Sequence, residues 1–118
     1  MSSGEVRASH ILIKHQGSRN KSSWKDPKGL RICSTTRDDA VSQLKALHKD
    51  IIEGKSSFEE VASTESHCSS AKRGGDLGYF GRGKMQKPFE EASFALAVGQ
   101  ISDIVDTESG VHIIKRTA

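Results

Sequence analysis

Residues 7–15, Arg-Ala-Ser-His-Ile-Leu-Ile-Lys-His, do most to limit what this chain can fold into. The run is rich in apolar and β-branched side chains and reads as a strand. Side chains alternate across a strand, so His10, Leu12 and Lys14 share one face and Ile11 and Ile13 share the other. The chain has 118 residues, 34% of them hydrophobic. That length suits one domain, here 1–118. A core this small must be made by helices packing efficiently on any sheet the strand joins.

The rest of the chain supplies such helices. Residues 16–34 form a polar, Lys- and Arg-rich loop holding Gly17, Pro27 and Gly29. Loops of this length are usually functional or partly disordered. Thr36 is placed to N-cap a helix on which Ala40, Leu44, Leu47 and Ile51 recur at helical spacing, widened by Val41 and Ile52, with Gly54 as the stop. Ser57-Phe58-Glu59-Glu60 has the form of a capping box and starts a short helix carrying Phe58, Val61 and Ala62. The glycines of 74–83 imply tight turns around a short strand near 77–80. Pro88 suits the first turn of a helix that Phe89 to Leu96 continue and Gly99 ends. Strands at 104–107 and 111–116, joined by a turn at Glu108-Ser109-Gly110, complete the order β-α-α-β-α-β-β. The expected class is α+β, with helices around a small, mostly antiparallel sheet.

The net charge of +3 and a pI near 9.0 favour anionic partners without singling out nucleic acid. No apolar run approaches the ~20 residues that span a bilayer. Met1 to Glu5 lack the charged and apolar regions of a signal peptide, so an intracellular protein with Cys33 and Cys68 as free thiols is expected.

Few residues are suited to chemistry. His10 and His112 each lie inside an apolar strand. A hydrogen-bonded core histidine accounts for either one alone, and less well for both. Cys68 sits among small polar residues, which suits an accessible thiol better than a buried one. A Cys–His pair is the raw material of a thiol protease, but no local protease signature surrounds Cys68. The Cys and His residues are too scattered for the short ligand spacing of a structural zinc site. Gly74 to Gly83 lack the Gly-Lys-Ser/Thr ending of a phosphate loop, so turns are the better reading. Lys14 and Arg19, with Lys21, Lys25 and Arg31 nearby, form a basic cluster. It is either a solvated face or a holder for a dense anion such as phosphate. Leu77, Met85 and Phe89 read by default as core.

Taken in order, several segments resemble the parvulin family, and within it the phospho-specific Pin-type branch. They are Ala8-Ser9-His10-Ile11-Leu12-Ile13-Lys14-His15, Ser66-His67-Cys68-Ser69-Ser70-Ala71-Lys72, Gly75-Asp76-Leu77-Gly78, Gly83-Lys84-Met85-Gln86-Lys87-Pro88-Phe89-Glu90, and Ser109-Gly110-Val111-His112-Ile113-Ile114. They cover nearly the whole chain. The chain is similar to the single-domain plant forms, since no WW domain precedes the first strand.

The resemblance implies a parvulin (FKBP-like) α+β fold, with a four-stranded, mostly antiparallel sheet and about four helices. It implies peptidyl-prolyl cis/trans isomerase activity on bonds preceded by phosphoSer or phosphoThr. His10, Cys68 and His112 would be catalytic, with Ser109 and Thr107 in their hydrogen-bond network. Leu77, Met85 and Phe89 would hold the proline ring, Gln86 and Ser69 the substrate backbone, and Lys14, Arg19 and Lys21 the phosphate, within a basic loop at about 15–35. No cofactor or metal is implied. The expected partners are phosphorylated Ser/Thr-Pro segments of client proteins, met by a monomer in cytoplasm and nucleus without nucleic acid or membrane. The competing readings are a phosphopeptide-binding module without turnover and a folding helper without phospho-preference. Three positions depart from the family pattern. Asn20 stands where a second Arg is common, His67 where Asp usually precedes the cysteine, and Lys84 where Gln is more usual.

Overall fold

The computed structural model describes residues 4–118. The apolar run near the N-terminus forms β1 (Glu5–Ile13). It is paired on both sides in an antiparallel sheet of order β2-β1-β4-β3, with β2 at Asp76–Gly81, β3 at Val105–Thr107 and β4 at Gly110–Arg116. Helices cover β1 on both faces, which explains its near-continuous apolar run.

The faces divide as the alternation requires. Ile11 and Ile13 pair with Ile113 and Val111 and pack against Ala40, Leu44, Phe58, Val61 and Ala62. These come from α2 (Arg37–Ile52) and α3 (Phe58–Glu65). Val6, Ala8 and Ile114 face the other way and pack with Phe80, Phe89 and Leu96, beside α4 (Lys87–Ala95). Burying each large aliphatic side chain stabilises the fold by roughly 1.5–3 kcal/mol. α2 begins with a complete capping box between Thr36 and Asp39. It ends with Lys55 N–H donating to the Asp50 carbonyl at 2.8 Å and Gly54 N–H to that of Ile51 at 3.1 Å, a Schellman closure. At α3, the Ser57 hydroxyl accepts from Glu60 N–H and donates to the Glu60 carboxylate, so only half of the expected box forms.

Two short helices depart from the sequence reading. α1 (Leu30–Ser34) lies inside the segment expected to be irregular, and a 3-10 helix (Ser69–Arg73) follows Cys68. Neither is long enough to leave a periodic stripe. α1 is nucleated by Asp26, whose Oδ2 accepts from the N–H groups of Arg31 and Ile32 at 3.0 and 2.9 Å. It is anchored by the fully buried Ile32. With α1, the described residues form four α-helices around four strands, as the family resemblance implied.

Candidate active site

Sheet register builds the centre of the site. His10 pairs with Ile114 and Leu12 with His112, which sets the two histidines diagonally on one face of the sheet. Their Nδ1 atoms are 3.0 Å apart. His112 Nε2 lies 2.7 Å from Thr107 Oγ1, which also accepts the Ser109 N–H at 3.1 Å. Burial, with the neighbouring His10, pushes His112 down to about 3, so its ring is neutral near pH 7. One proton serves the Nδ1–Nδ1 contact, and which ring carries it depends on the tautomers. His10 Nε2 is buried and makes no well-formed hydrogen bond of its own.

Cys68 reaches the same place from the N-cap of the 3-10 helix. Burial pushes its thiol up, but interaction with the His10 ring and with Ser70 outweighs this and brings it down to about 6. We expect thiolate absorbance in the wild type to rise with a midpoint near pH 6, and that signal to vanish in Cys68→Ala. A midpoint above 8 would show that His10 does not act on the sulfur.

Segments flanking Cys68 are fixed to β1. Ser66 Oγ accepts the Leu12 N–H at 3.0 Å, His67 N–H donates to the Leu12 carbonyl at 2.7 Å, and His67 Nδ1 accepts the Lys14 N–H at 3.0 Å. His67 must be neutral to accept. Burial and the charges of Lys25 and Lys14 ensure this by lowering it to about 4. The departure from Asp therefore keeps a hydrogen-bond acceptor at the end of β1 without placing a carboxylate beside the thiol.

A cavity of about 130 Å³ joins His10, Cys68, His112, Thr107 and Ser109 to Leu77, Met85, Phe89 and Gln86. The residues expected to carry catalysis and those expected to hold a proline ring thus line one cleft. Phe89 packs T-shaped against both histidines, with ring centroids at 5.4 and 5.2 Å. Gln86 donates to the Ser109 hydroxyl at 2.8 Å and accepts the Glu108 N–H at 3.0 Å, spanning the cleft between α4 and the β3–β4 turn. Ser69 does not line this cleft. The 3-10 turn carries it into a neighbouring cavity with Trp24, Ser63 and Lys72.

The basic loop docks on the rim. Arg19 N–H donates to the Glu108 carbonyl at 2.7 Å, next to Ser109. The Arg19 guanidinium meets the Glu108 carboxylate at 3.1 Å, with both side chains well exposed. Lys14 is almost buried, and its ammonium donates to the Ser22 carbonyl at 2.6 Å. Burial lowers its ionisation, partly opposed by Cys68. Lys21 is exposed on the same loop. Among the described residues no cluster of three His, Cys, Asp or Glu side chains is set to hold a metal ion, and no helix is long and apolar enough to cross a membrane.

Sequence reasoning missed Glu90. Its buried carboxylate accepts the Gly83 N–H at 2.6 Å and meets Arg82 at 3.2 Å, fixing the turn that carries Met85 and Gln86 to the cleft. A glutamate in the first turn of a helix is ordinary, so nothing in the sequence singled it out.

Comparison with known proteins agrees with this geometry. Residues 10–118 match the rotamase family, described as the PPIC-type PPIASE domain. The chain is 74% identical over 117 residues to a peptidyl-prolyl cis-trans isomerase Pin1 of Digitalis lanata, covering 99% of each. It is 73% identical over 114 residues to the Pin1 isomerase of Arabidopsis thaliana, covering 97% of this chain and 96% of the relative. Among solved structures, the peptidyl-prolyl isomerase ESS1 from Candida albicans superimposes with a TM-score of 0.95 at 51% identity, over all of this chain and 65% of that one. With a paired-histidine and cysteine cleft of this form and relatives this close, the chain belongs to the parvulin, or PPIC-type, family of peptidyl-prolyl cis/trans isomerases and is an enzyme of that kind.

Proposed function

We propose that the enzyme acts preferentially on Xaa–Pro bonds in which Xaa is phosphoSer or phosphoThr. The observation that carries this reading is the docking of the basic loop on the rim of the cleft through Arg19 and Glu108, which sets Arg19 beside Ser109. A phosphate carries about −1.5 to −2 charges at pH 7 and strong acceptor oxygens, a match for Arg19, Lys14 and Lys21.

Rotation about a peptide bond faces a barrier of ~18–20 kcal/mol, and unaided Xaa–Pro exchange takes roughly tens to hundreds of seconds. No bond need break. The enzyme has to favour the twisted state over the planar ones. In this reading Leu77, Met85 and Phe89 grip the proline ring and shed water, and the basic loop anchors the phosphate. The Cys68, His10 and His112 network, with Ser109 and Thr107, then matches the twisted carbonyl. Gln86 holds the substrate backbone from the far wall. Cys68 acts here without covalent attack, since rotation does not require it. On this account the protein works as a monomer, in cytoplasm and nucleus, on phosphorylated Ser/Thr-Pro segments of client proteins.

Lys14→Gln with Arg19→Gln tests the reading. Charge-assisted hydrogen bonds are worth roughly 1.5–3 kcal/mol each, so kcat/KM on a phosphoSer–Pro peptide should fall by about 10² or more. Turnover of the matching Ala–Pro peptide should change little. Equal losses on both peptides would point to damage of the cleft and remove the basis for phosphate recognition. Glu108→Gln should act oppositely. It frees Arg19 from an exposed partner worth roughly 0.2–1 kcal/mol, so phosphopeptide affinity should rise by up to about fivefold.

A further inference from the structure

Among the described residues β3 is the shortest strand of the sheet. It has three residues, lies at an edge and pairs only with β4. Yet it carries Thr107, whose hydroxyl meets His112 Nε2 at 2.7 Å in the cleft. A short edge segment with few ladder bonds opens easily, so a precise contact there needs support from outside the ladder. We propose that Asp106 is a positioning residue for the isomerisation: through its ion pair with Arg37 it holds β3 and so keeps the Thr107 hydroxyl on His112.

Side chains alternate along β3. Val105 packs with the apolar cluster that holds Phe89, and Thr107 lines the cleft, while Asp106 points the other way, to the start of α2. There one carboxylate oxygen accepts from Arg37 Nε at 2.9 Å and the other accepts from Arg37 Nη2. Such a two-point contact fixes direction as well as distance. Arg37 holds the Asp106 carboxyl below the usual carboxylate range, so the pair is charged at neutral pH. The backbone of Arg37 is fixed in turn. It is the first residue of α2, inside the capping box of Thr36 and Asp39, and the Gln16 N–H closes the neck of the basic loop beside it by donating to the Thr35 carbonyl at 2.8 Å. On the other side of Thr107, the Glu108 carbonyl accepts from Arg19 N–H and the Glu108 N–H donates to Gln86. Thr107 therefore lies between two anchored neighbours, and the Arg37–Asp106 pair is one of the anchors. Both side chains of the pair are half exposed, and an exposed ion pair adds little to stability by itself. Its effect is expected in the placement of the group that it adjoins.

This inference rests on the reading that the paired histidines serve the reaction. Its test uses an unphosphorylated Ala–Pro peptide, so phosphate recognition does not enter. Asp106→Ala should lower kcat by about tenfold and change KM by less than about twofold. The same variant should move the nitrogen resonance of His112 Nε2, which reports the contact with Thr107. Thr107→Val should lose about as much kcat, and adding Asp106→Ala to it should lose little more, because both act through one hydroxyl. Glu59→Ala is the control. It breaks an ion pair of comparable exposure, Lys115 to Glu59 at 3.0 Å, which joins β4 to α3, and it should leave kcat and the His112 resonance as in the wild type. An unmoved His112 resonance in Asp106→Ala would overturn the clamp. A moved resonance with wild-type kcat would overturn its part in the reaction and count against the histidine pair as well. An equal loss of kcat in Glu59→Ala would reduce the effect to general destabilisation and overturn the positioning role.

Discussion

Gly75→Ala is expected to lower the thermal midpoint by roughly 10–20 °C, from a loss on the order of 3 kcal/mol. Gly75 has a φ of +90°, and a Cβ there would lie 2.5 Å from the His10 carbonyl oxygen and 3.1 Å from Ala62 Cβ. Both neighbours are fixed. The carbonyl belongs to β1 at His10, which lines the cleft, and Ala62 is in the core. The Gly75 carbonyl also accepts the His10 N–H at 3.0 Å, so relief of the clash moves His10 and activity should fall with stability. Gly78 supplies the control. It has a φ of +74°, but nothing lies within 4 Å of its added Cβ. Gly78→Ala should carry only the left-handed backbone cost of roughly 1–2 kcal/mol. Circular dichroism melts of the two variants would separate them, and equal midpoints would mean that contact with His10 is not what makes Gly75 necessary.

The second large effect is expected at Phe89. Its ring contacts both histidines and lies 6.1 Å from that of Phe80, and it closes the apolar cluster under α4. Phe89→Ala should destabilise the domain by about 3–5 kcal/mol, a large share of the roughly 5–15 kcal/mol available to a small protein. Denaturant titration measures that loss. Phe89→Leu refills most of the volume and keeps the fold, but it removes the aromatic ring from the histidines. It should therefore lose more in kcat/KM than in stability. Wild-type turnover by Phe89→Leu would reduce Phe89 to a core residue.

Phe89 also shows what the sequence could convey. Its default reading was core and its family reading was proline pocket; it is buried in the apolar cluster under α4 and also lines the cleft. β1, α2 and α3 were legible because caps and periodicity are local signals, and Thr36, Gly54 and Ser57 all sit at the helix ends they marked. The diagonal pairing of His10 with His112 was not legible. It depends on register between strands a hundred residues apart, which residue spacing does not encode. α1 was hidden because one buried isoleucine and one capping aspartate leave no stripe. Ser69, which the family resemblance put at the substrate backbone, lies on the 3-10 turn and lines the cavity with Trp24 and Lys72, a placement that residue spacing does not encode. Lys14 and Arg19 read simply as a basic cluster. The fold shows one nearly buried and bonded to a carbonyl, the other exposed and paired with Glu108.

The central claim is that one cleft anchors a phosphate and a proline ring on either side of a single bond and lets that bond turn. Exchange spectroscopy on matched phosphoSer–Pro and Ala–Pro peptides with wild-type enzyme tests it most directly. The account predicts catalysed cis/trans exchange of both, with kcat/KM about a hundredfold or more higher for the phosphopeptide. Equal values for the two peptides would contradict it.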